Sequence, residues 1–363
     1  MEKVFDIHIH YTFEIPLKKT IDIFEREFKE TGIEKGAFLS LPHHERKGRV
    51  DYEQLQNIKA LYLKREFAPN FYAFAGLVHP QTYADKKSIA KDFLRQAEEY
   101  FSVGYDGIKM LEGYPSLLKV RGIALDDEIY DSYYAFMEEN GYPILMHIAN
   151  PKENWDISKA DKFAIQAGRV YDSSYPTKEE ITEQTFSVMK KHPKLKLILA
   201  HWGFFSQEKE NAERFLGEYE NTMLDITPGG EQYLTMAKDW EYWLAFIKNY
   251  KERILYGTDF YAFPDEDEAD WRICFQRRPN FVRQFFETDT QHEYLGEKFH
   301  GVLVEKSLRK KIYRENAERL LGEPNRINEK YMLVEAERLM KLSEKQSKYA
   351  DEDLRYILET VKK

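Results

Sequence analysis

Short apolar runs rich in β-branched and aromatic residues recur along the chain at Val4–His10, Lys35–Leu41, Phe71–His79, Gly107–Leu111, Pro143–His147, Lys196–His201, Thr222–Ile226 and Arg253–Asp259. Their length and composition predict strands. Between them, apolar positions fall at helical spacing over Leu17–Thr31, Tyr52–Phe67, Ser88–Val103, Asp126–Asn140, Lys178–His192, Gln207–Glu220 and Glu231–Asn249. Several strands are nearly continuous in apolar residues, as in Ile144-Leu-Met and Leu197-Ile-Leu-Ala. That is the pattern of strands covered on both faces of a parallel sheet. Strand–helix alternation predicts an α/β fold, and eight such units with right-handed crossovers close a (β/α)8 TIM barrel. The alternative is an open doubly wound sheet, but no Gly-x-Gly-x-x-Gly follows the first strand to support it.

Two connections exceed what a barrel needs, Ile148–Lys178 after the fifth strand and Phe260–Ser307 after the eighth. Both leave strands that end in polar residues, so they are expected to rise over the catalytic mouth. From Glu323 onward the chain becomes charged, with helical spacing over Lys330–Glu344 and Asp351–Val361. The expected organisation is a barrel over residues 1–322 and a C-terminal helical extension over 323–363 that packs or oligomerises.

Composition narrows the partners. The 363 residues include 24 Phe and 25 Tyr, enough for a large core, and carry a formal net charge of −9. Lys and Arg are scattered, so the basic stripe that nucleic acid requires is missing. Cys274 is the only cysteine, which excludes an intrachain disulfide and leaves histidine and carboxylate to hold any metal. The start, Met1-Glu-Lys-Val-Phe-Asp, has no apolar h-region and no apolar run is long enough to span a bilayer, so a cytoplasmic protein with no membrane partner is expected.

The sharpest chemical signal is Asp6-Ile7-His8-Ile9-His10 at the end of the first strand. Residues two apart on a strand share a side, so His8 and His10 can share one ion while Ile7 and Ile9 face the surrounding helices. Three other strands also end in polar residues, His147, His201 and Asp259. Barrel strands converge with their C-terminal ends on one mouth. Burying such groups is costly unless they are paired or coordinated, so the repetition points to a site.

Together with Gly107-Ile-Lys109, Met146-His147, Ala200-His201-Trp-Gly203, Gly257-Thr-Asp259 and Arg309-Lys-Lys-Ile-Tyr-Arg-Glu-Asn316-Ala-Glu-Arg-Leu-Leu-Gly322, these residues resemble the amidohydrolase superfamily. The branch resembled includes aminocarboxymuconate semialdehyde decarboxylase and related hydrolases, and the resemblance runs from about residue 4 to 322. It implies that His8, His10, His147 and Asp259 are metal ligands and that His201 orients or deprotonates a bound water. Two departures stand out. Met110-Leu111-Glu112 occupies the place where the branch often has a histidine, and the segment after Asp259 exceeds the usual length, so substrate identity does not carry over.

Three imidazoles and a carboxylate leave a divalent ion a position for water, and a zinc-bound water titrates near 7, at about neutral pH. His201 is the candidate base, and Asp259 is either a ligand or the proton shuttle. The expected activity is hydrolysis of a small amide, ester or lactone. Within the same family the alternative is non-oxidative decarboxylation of a small carboxylated substrate. A non-catalytic metal-binding scaffold is the reading from another class, and it needs fewer residues than are present.

One ion is expected, zinc first, with Mn2+, Fe2+ or Co2+ able to occupy the same ligands. A lysine at the fourth-strand end is carboxylated and bridges two metals in other amidohydrolases. A single ion is preferred here because the branch resembled usually has one, which frees Lys109 to neutralise a substrate carboxylate. Substrate contacts are expected from Lys109, Trp202 and His79. His43 and His44 read as rim or solvated residues, and Trp271 as a further wall. Arg272, Arg277 and Arg278 read as a solvated cluster balancing Asp265, Glu266, Asp267 and Glu268, with an anion clamp as the alternative. The expected partner is a small-molecule substrate, with a homo-oligomer left open.

Overall fold

The computed structural model of the chain describes all residues except 47–48, 230–231, 264–271, 295, 343–346 and 363. Its main sheet is built from β1 (Val4–Tyr11), β2 (Ile33–Leu39), β3 (Phe71–Ala75), β4 (Gly107–Gly113), β5 (Ile144–Ile148), β6 (Leu197–Leu199), β7 (Thr222–Asp225), β8 (Ile254–Leu255) and β9 (Phe260–Ala262). All pairings in it are parallel, and the order is β8-β7-β6-β5-β4-β3-β2-β1-β9. The sheet curls, because the two ends of that order are joined by residues 256–259 alone. Backbone hydrogen bonds from Ile7 N to Tyr256 O (3.1 Å) and from Asp259 N to His8 O (2.8 Å) tie β1 to that connection.

Alternation along the strands sorts the core into two layers. Phe5, Ile7, Ala37, Leu39, Tyr72, Phe74, Leu145, Ile198 and Leu255 form one buried cluster inside the curl. Ile9, Phe38, Ala73, Ile108, Met146, Leu199 and Leu224 join the larger cluster under the helices. The sequence pattern places Ile7 outward with Ile9, and here the structure differs. The β1–β2 register shifts between Asp6 and Ile9, so three steps on β1 oppose two on β2. A bulge of this kind resets which side successive residues face, which lets His8 follow an inward Ile7.

The helices depart from the simple alternation where turn chemistry overrides periodicity. The stretch before the second helix forms a hairpin, His43–Arg46 with Arg49–Tyr52, and the helix itself starts at Gln56. A short helix, Pro115–Arg121, follows β4, with proline in the first turn where its missing N–H costs nothing. The span after β5 carries the short helix Lys162–Gln166, and the span after Asp259 contains β9, the helix Ile273–Glu287 and a hairpin, Gln291–Tyr294 with Glu297–His300. Two helices, Glu329–Met340 and Ala350–Val361, end the chain and bury Met332, Ala336, Leu339, Leu354 and Ile357. No helix among the described residues is long and apolar enough to cross a membrane.

The helix Lys178–Lys191 shows how local signals position the site. Thr177 caps it in a capping box with Glu180, and Lys178 Nζ donates to Phe204 O at 2.6 Å, holding the turn after β6. Thr177→Ala is expected to lower stability by about 1 kcal/mol, as loss of a helix cap does. Urea unfolding followed by circular dichroism checks this; an unchanged midpoint would mean the cap is idle.

Candidate metal centre

Four buried histidines meet near the C-terminal ends of β1, β5 and β6, and each is held by a hydrogen bond to a group that can only accept. His8 Nδ1 donates to Asp225 Oδ2 (2.8 Å) and His10 Nδ1 to Leu39 O (3.1 Å). His201 Nδ1 donates to Pro228 O (3.1 Å), and His147 Nε2 to Ala149 O (3.1 Å). Because the acceptors lack protons, these bonds set the tautomers: the lone pair lies on Nε2 in His8, His10 and His201, and on Nδ1 in His147. Burial first, with the charge of Lys109 adding to it, pushes all four imidazoles well below 6.5, so they are neutral.

The unprotonated Nε2 atoms of His8 and His10 lie 3.2 Å apart, and Asp259 Oδ1 lies 3.6 Å from the first and 3.4 Å from the second. Two donors each about 2.1 Å from a tetrahedral ion are about 3.4 Å apart, so the triangle has the size of three ligands around one cation. Lone pairs facing each other at this distance repel unless a positive charge sits among them. The donor set therefore fits a divalent ion. His147 is adjacent, its ring 5.0 Å from that of His201, which is itself 5.2 Å from His8. It stands outside the His8–His10–Asp259 group, and its unprotonated nitrogen is Nδ1.

Carboxylates behind the histidines complete the arrangement. Asp225, at the end of β7, accepts from His8 Nδ1 through one oxygen and from His201 N (2.7 Å) and Thr227 N (3.1 Å) through the other. Outer-shell carboxylates of this type fix the imidazole and raise its basicity. Asp6 accepts from His8 N (2.9 Å) and from Thr258 Oγ1 (2.5 Å), and burial raises its pKa to about 7. Sequence reading passed over Asp225, although its signal was the one used for Asp259, a carboxylate closing a buried strand.

The charges around Asp259 come from three elements. Its Oδ2 accepts from Arg278 Nη1, in the helix Ile273–Glu287, and both side chains are buried. This corrects the reading of Arg278 as part of a solvated cluster. Lys109 Nζ lies 3.3 Å from His8 Nε2, and burial lowers its pKa to about 8 against the raising charges of Asp259, Asp225 and Glu112. Burial raises Asp259 to about 6, while Arg278, Lys109 and Arg169 act to lower it.

Two expected substrate contacts are placed elsewhere. Trp202 is fully buried with its ring 5.7 Å from both Trp243 and Phe246, in the outer core, so it does not wall the site. The turn after β6 explains this: His201, Trp202 and Gly203 all have positive φ, so the chain coils tightly and sends adjacent side chains apart. His79 lies in a second buried group with Glu112 and His43. Trp271 and Asp265–Glu268 lie outside the described residues. Positive φ also occurs at Ala149 and Asp259, strain of the kind that collects at functional sites. Gly257 has another reason to be glycine: a Cβ there would meet Thr227 Oγ1 at 2.3 Å and His8 Cβ at 3.0 Å.

A family model described as Amidohydrolase (Amidohydro_2) matches residues 5–322. Among curated proteins, none matches the chain. Of the solved structures, a TIM-barrel protein from Bordetella bronchiseptica is similar at 15% identity and a TM-score of 0.52, over 88% of this chain and 98% of that one. A dihydroxybenzoic acid decarboxylase from Polaromonas sp. JS666, with bound manganese and 2-nitroresorcinol, is similar at 16% identity and a TM-score of 0.51, over 88% and 97%. A 4-oxalomesaconate hydratase from Rhodopseudomonas palustris is similar at 16% identity and a TM-score of 0.52, over 88% and 95%. At these identities the likeness establishes the fold.

Proposed function

The chain belongs to the amidohydrolase family, and on that premise we propose that it is a metal-dependent enzyme that decarboxylates a small carboxylated substrate without a redox cofactor. The observation that carries this reading is the gathering of cationic groups about Asp259, with Arg278 bonded to it and the charges of Lys109 and Arg169 acting on it. A neutral amide, ester or lactone has no use for such a set, whereas a substrate carboxylate does. Two of the structures similar in fold are named for enzymes of carboxylic acids, which agrees with it. The curled sheet is on this reading a (β/α)8 barrel in which β8 and β9 are halves of one eighth strand, with the spans after β5 and Asp259 over its mouth.

His8, His10 and Asp259, with Nδ1 of His147, would hold one divalent ion, zinc by donor preference or manganese as in the Polaromonas structure. When bound, the ion supplies Lewis-acid polarisation of a substrate oxygen. Lys109 stays largely protonated at neutral pH with a pKa of about 8, and so binds and orients an anionic group beside His8. His201, neutral and with Nε2 as its basic atom, takes the proton of a substrate hydroxyl. As the C–C bond to the carboxylate breaks and CO2 leaves, its electron pair stays on carbon. His201, protonated by that transfer, returns the proton to this carbon, and the product oxygen regains a proton from solvent. Arg278 keeps Asp259 Oδ2 in place while Oδ1 faces the histidines.

Hydrolysis of a small amide, ester or lactone is the second reading, since neutral His201 is equally a base for water. Incubation of the metal-loaded enzyme with hydroxylated aromatic and enolic carboxylic acids is expected to release CO2, measured by a coupled assay. Acid release from amides, esters or lactones with no CO2 from any acid would overturn decarboxylation in favour of hydrolysis.

A further inference from the structure

Beside the barrel-mouth site, the ends of β2, β3 and β4 bring a second set of metal-ligating side chains together. His43 opens the hairpin after β2, His79 follows β3, and Glu112 lies on β4. These strands are neighbours in the sheet, so their C-terminal ends converge as those of β1, β5 and β6 do. His43, His79 and Glu112 are 2%, 6% and 3% exposed, and one ligand atom from each falls within 4.8 Å of the others. The surroundings differ from those of the first site, with His79 packed against Phe93 and Tyr130.

The hydrogen bonding leaves this group incomplete. His79 Nε2 lies 2.7 Å from Glu112 Oε1, and its Nδ1 is 2.7 Å from Tyr83 Oη. His43 Nε2 is 3.4 Å from the same Glu112 oxygen, yet neither of its nitrogens has a hydrogen-bond partner among the described residues. Glu112 Oε2 has none either, nor do Nε and Nη2 of Arg121, which belongs to the helix Pro115–Arg121. Arg121 Nη1 is 3.8 Å from Glu112 Oε1 and 3.3 Å from His79 Nε2, too far from the carboxylate to complete it. Buried polar atoms are almost always satisfied, and a buried carboxylate with an idle oxygen calls for an occupant.

We propose that His43, His79 and Glu112 form a second divalent-cation site, separate from the His8–His10–Asp259 centre, for a first-row transition ion. Two imidazoles and a carboxylate are a common donor set for zinc, manganese or iron, with positions left open. The Tyr83 hydroxyl can accept as well as donate, so His79 can carry its proton on Nδ1 and present Nε2 without turning its ring. That is the outer-shell support usual behind a ligating histidine. Arg121 is a like charge beside the ion, with two nitrogens that have no hydrogen-bond partner among the described residues, and an anionic fourth ligand would balance that charge.

The test uses His8→Ala/His10→Ala in the full chain, which removes the first centre and leaves the second untouched. After chelator treatment and dialysis, the variant is titrated with Co2+ and bound cobalt is measured with the visible absorption spectrum. One equivalent, with d–d bands of nitrogen and oxygen ligation, is expected. Adding Arg121→Met is expected to tighten this binding by about tenfold, because it removes a neighbouring positive charge. No bound cobalt in His8→Ala/His10→Ala overturns the second site whatever becomes of the first. Two equivalents in the wild type and none in the variant would do the same, assigning both ions to a barrel centre bridged at Lys109.

Discussion

His8→Ala/His10→Ala is expected to carry one equivalent of divalent metal fewer than the wild-type chain and to lose turnover by about 10³-fold or more. The metal loss follows from geometry. The two Nε2 atoms are held 3.2 Å apart with their lone pairs converging, by Asp225 behind His8 and Leu39 O behind His10. Removing both leaves Asp259 Oδ1 and His147 Nδ1, too few donors for tight binding of one ion. A bound ion contributes several kcal/mol of charge stabilisation, and each 1.4 kcal/mol is about tenfold in rate, which gives the size of the activity loss. Elemental analysis of both proteins checks the first part before any substrate is known. An unchanged metal content would remove the ligand assignment and with it the proposed chemistry.

How far this site could be read from sequence depends on which rule each residue obeys. His8, His10, His147, His201 and Asp259 lie near or just past the C-terminal ends of buried strands, and a polar residue after such an apolar run is visible in a one-dimensional pattern. Asp225 obeys the same rule and was legible, closing Thr222-Met-Leu-Asp225 in the same way. Arg278 was not, for a physical reason. Its helix, Ile273–Glu287, contains Pro279, a residue that argues against a helix interior, so the span reads as loop and its arginines as solvated. The apolar rhythm of Phe275, Phe281, Val282, Phe285 and Phe286 was the countersign.

Side-chain direction was harder to read than position. The bulge in β1 cannot be seen in the alternation Ile7-His8-Ile9-His10, which looks regular, yet it puts Ile7 inside the curl. Trp202 follows His201 by one residue and ends in the opposite environment because three successive residues adopt positive φ. His79 and Glu112 are distant in sequence, and only the adjacency of β3 and β4 brings them within 2.7 Å. Strand ends locate candidate chemistry, but strain and pairing decide which residues share a site.

Asp353→Ala is expected to destabilise the chain by about 3 kcal/mol, a large share of the roughly 5–15 kcal/mol typical of folded proteins. Asp353 lies in the first turn of the last helix, yet it is 1% exposed, and both of its oxygens serve the body of the protein. Oδ2 is 2.6 Å from Lys59 Nζ, itself 1% exposed, and Oδ1 accepts from Leu17 N at 2.6 Å. Leu17 begins the helix Leu17–Thr31, whose N-cap, Pro16, supplies no side-chain acceptor, so Asp353 does that work from more than three hundred residues away. Alanine leaves the buried Lys59 ammonium without its 2.6 Å carboxylate partner, with the charge of Glu53 still acting on it, and orphans a helix N–H. The double change Lys59→Met/Asp353→Leu removes both charges and is expected to recover most of the loss, since apolar replacement of a buried pair is close to neutral. Urea unfolding of the three proteins measures both effects. A full-size loss in Asp353→Ala with recovery in the double variant ties the C-terminal helices to the segment that follows the histidine strand. A loss below about 0.5 kcal/mol, the size of an ordinary surface substitution, would show instead that the last helix is an accessory the body does not need.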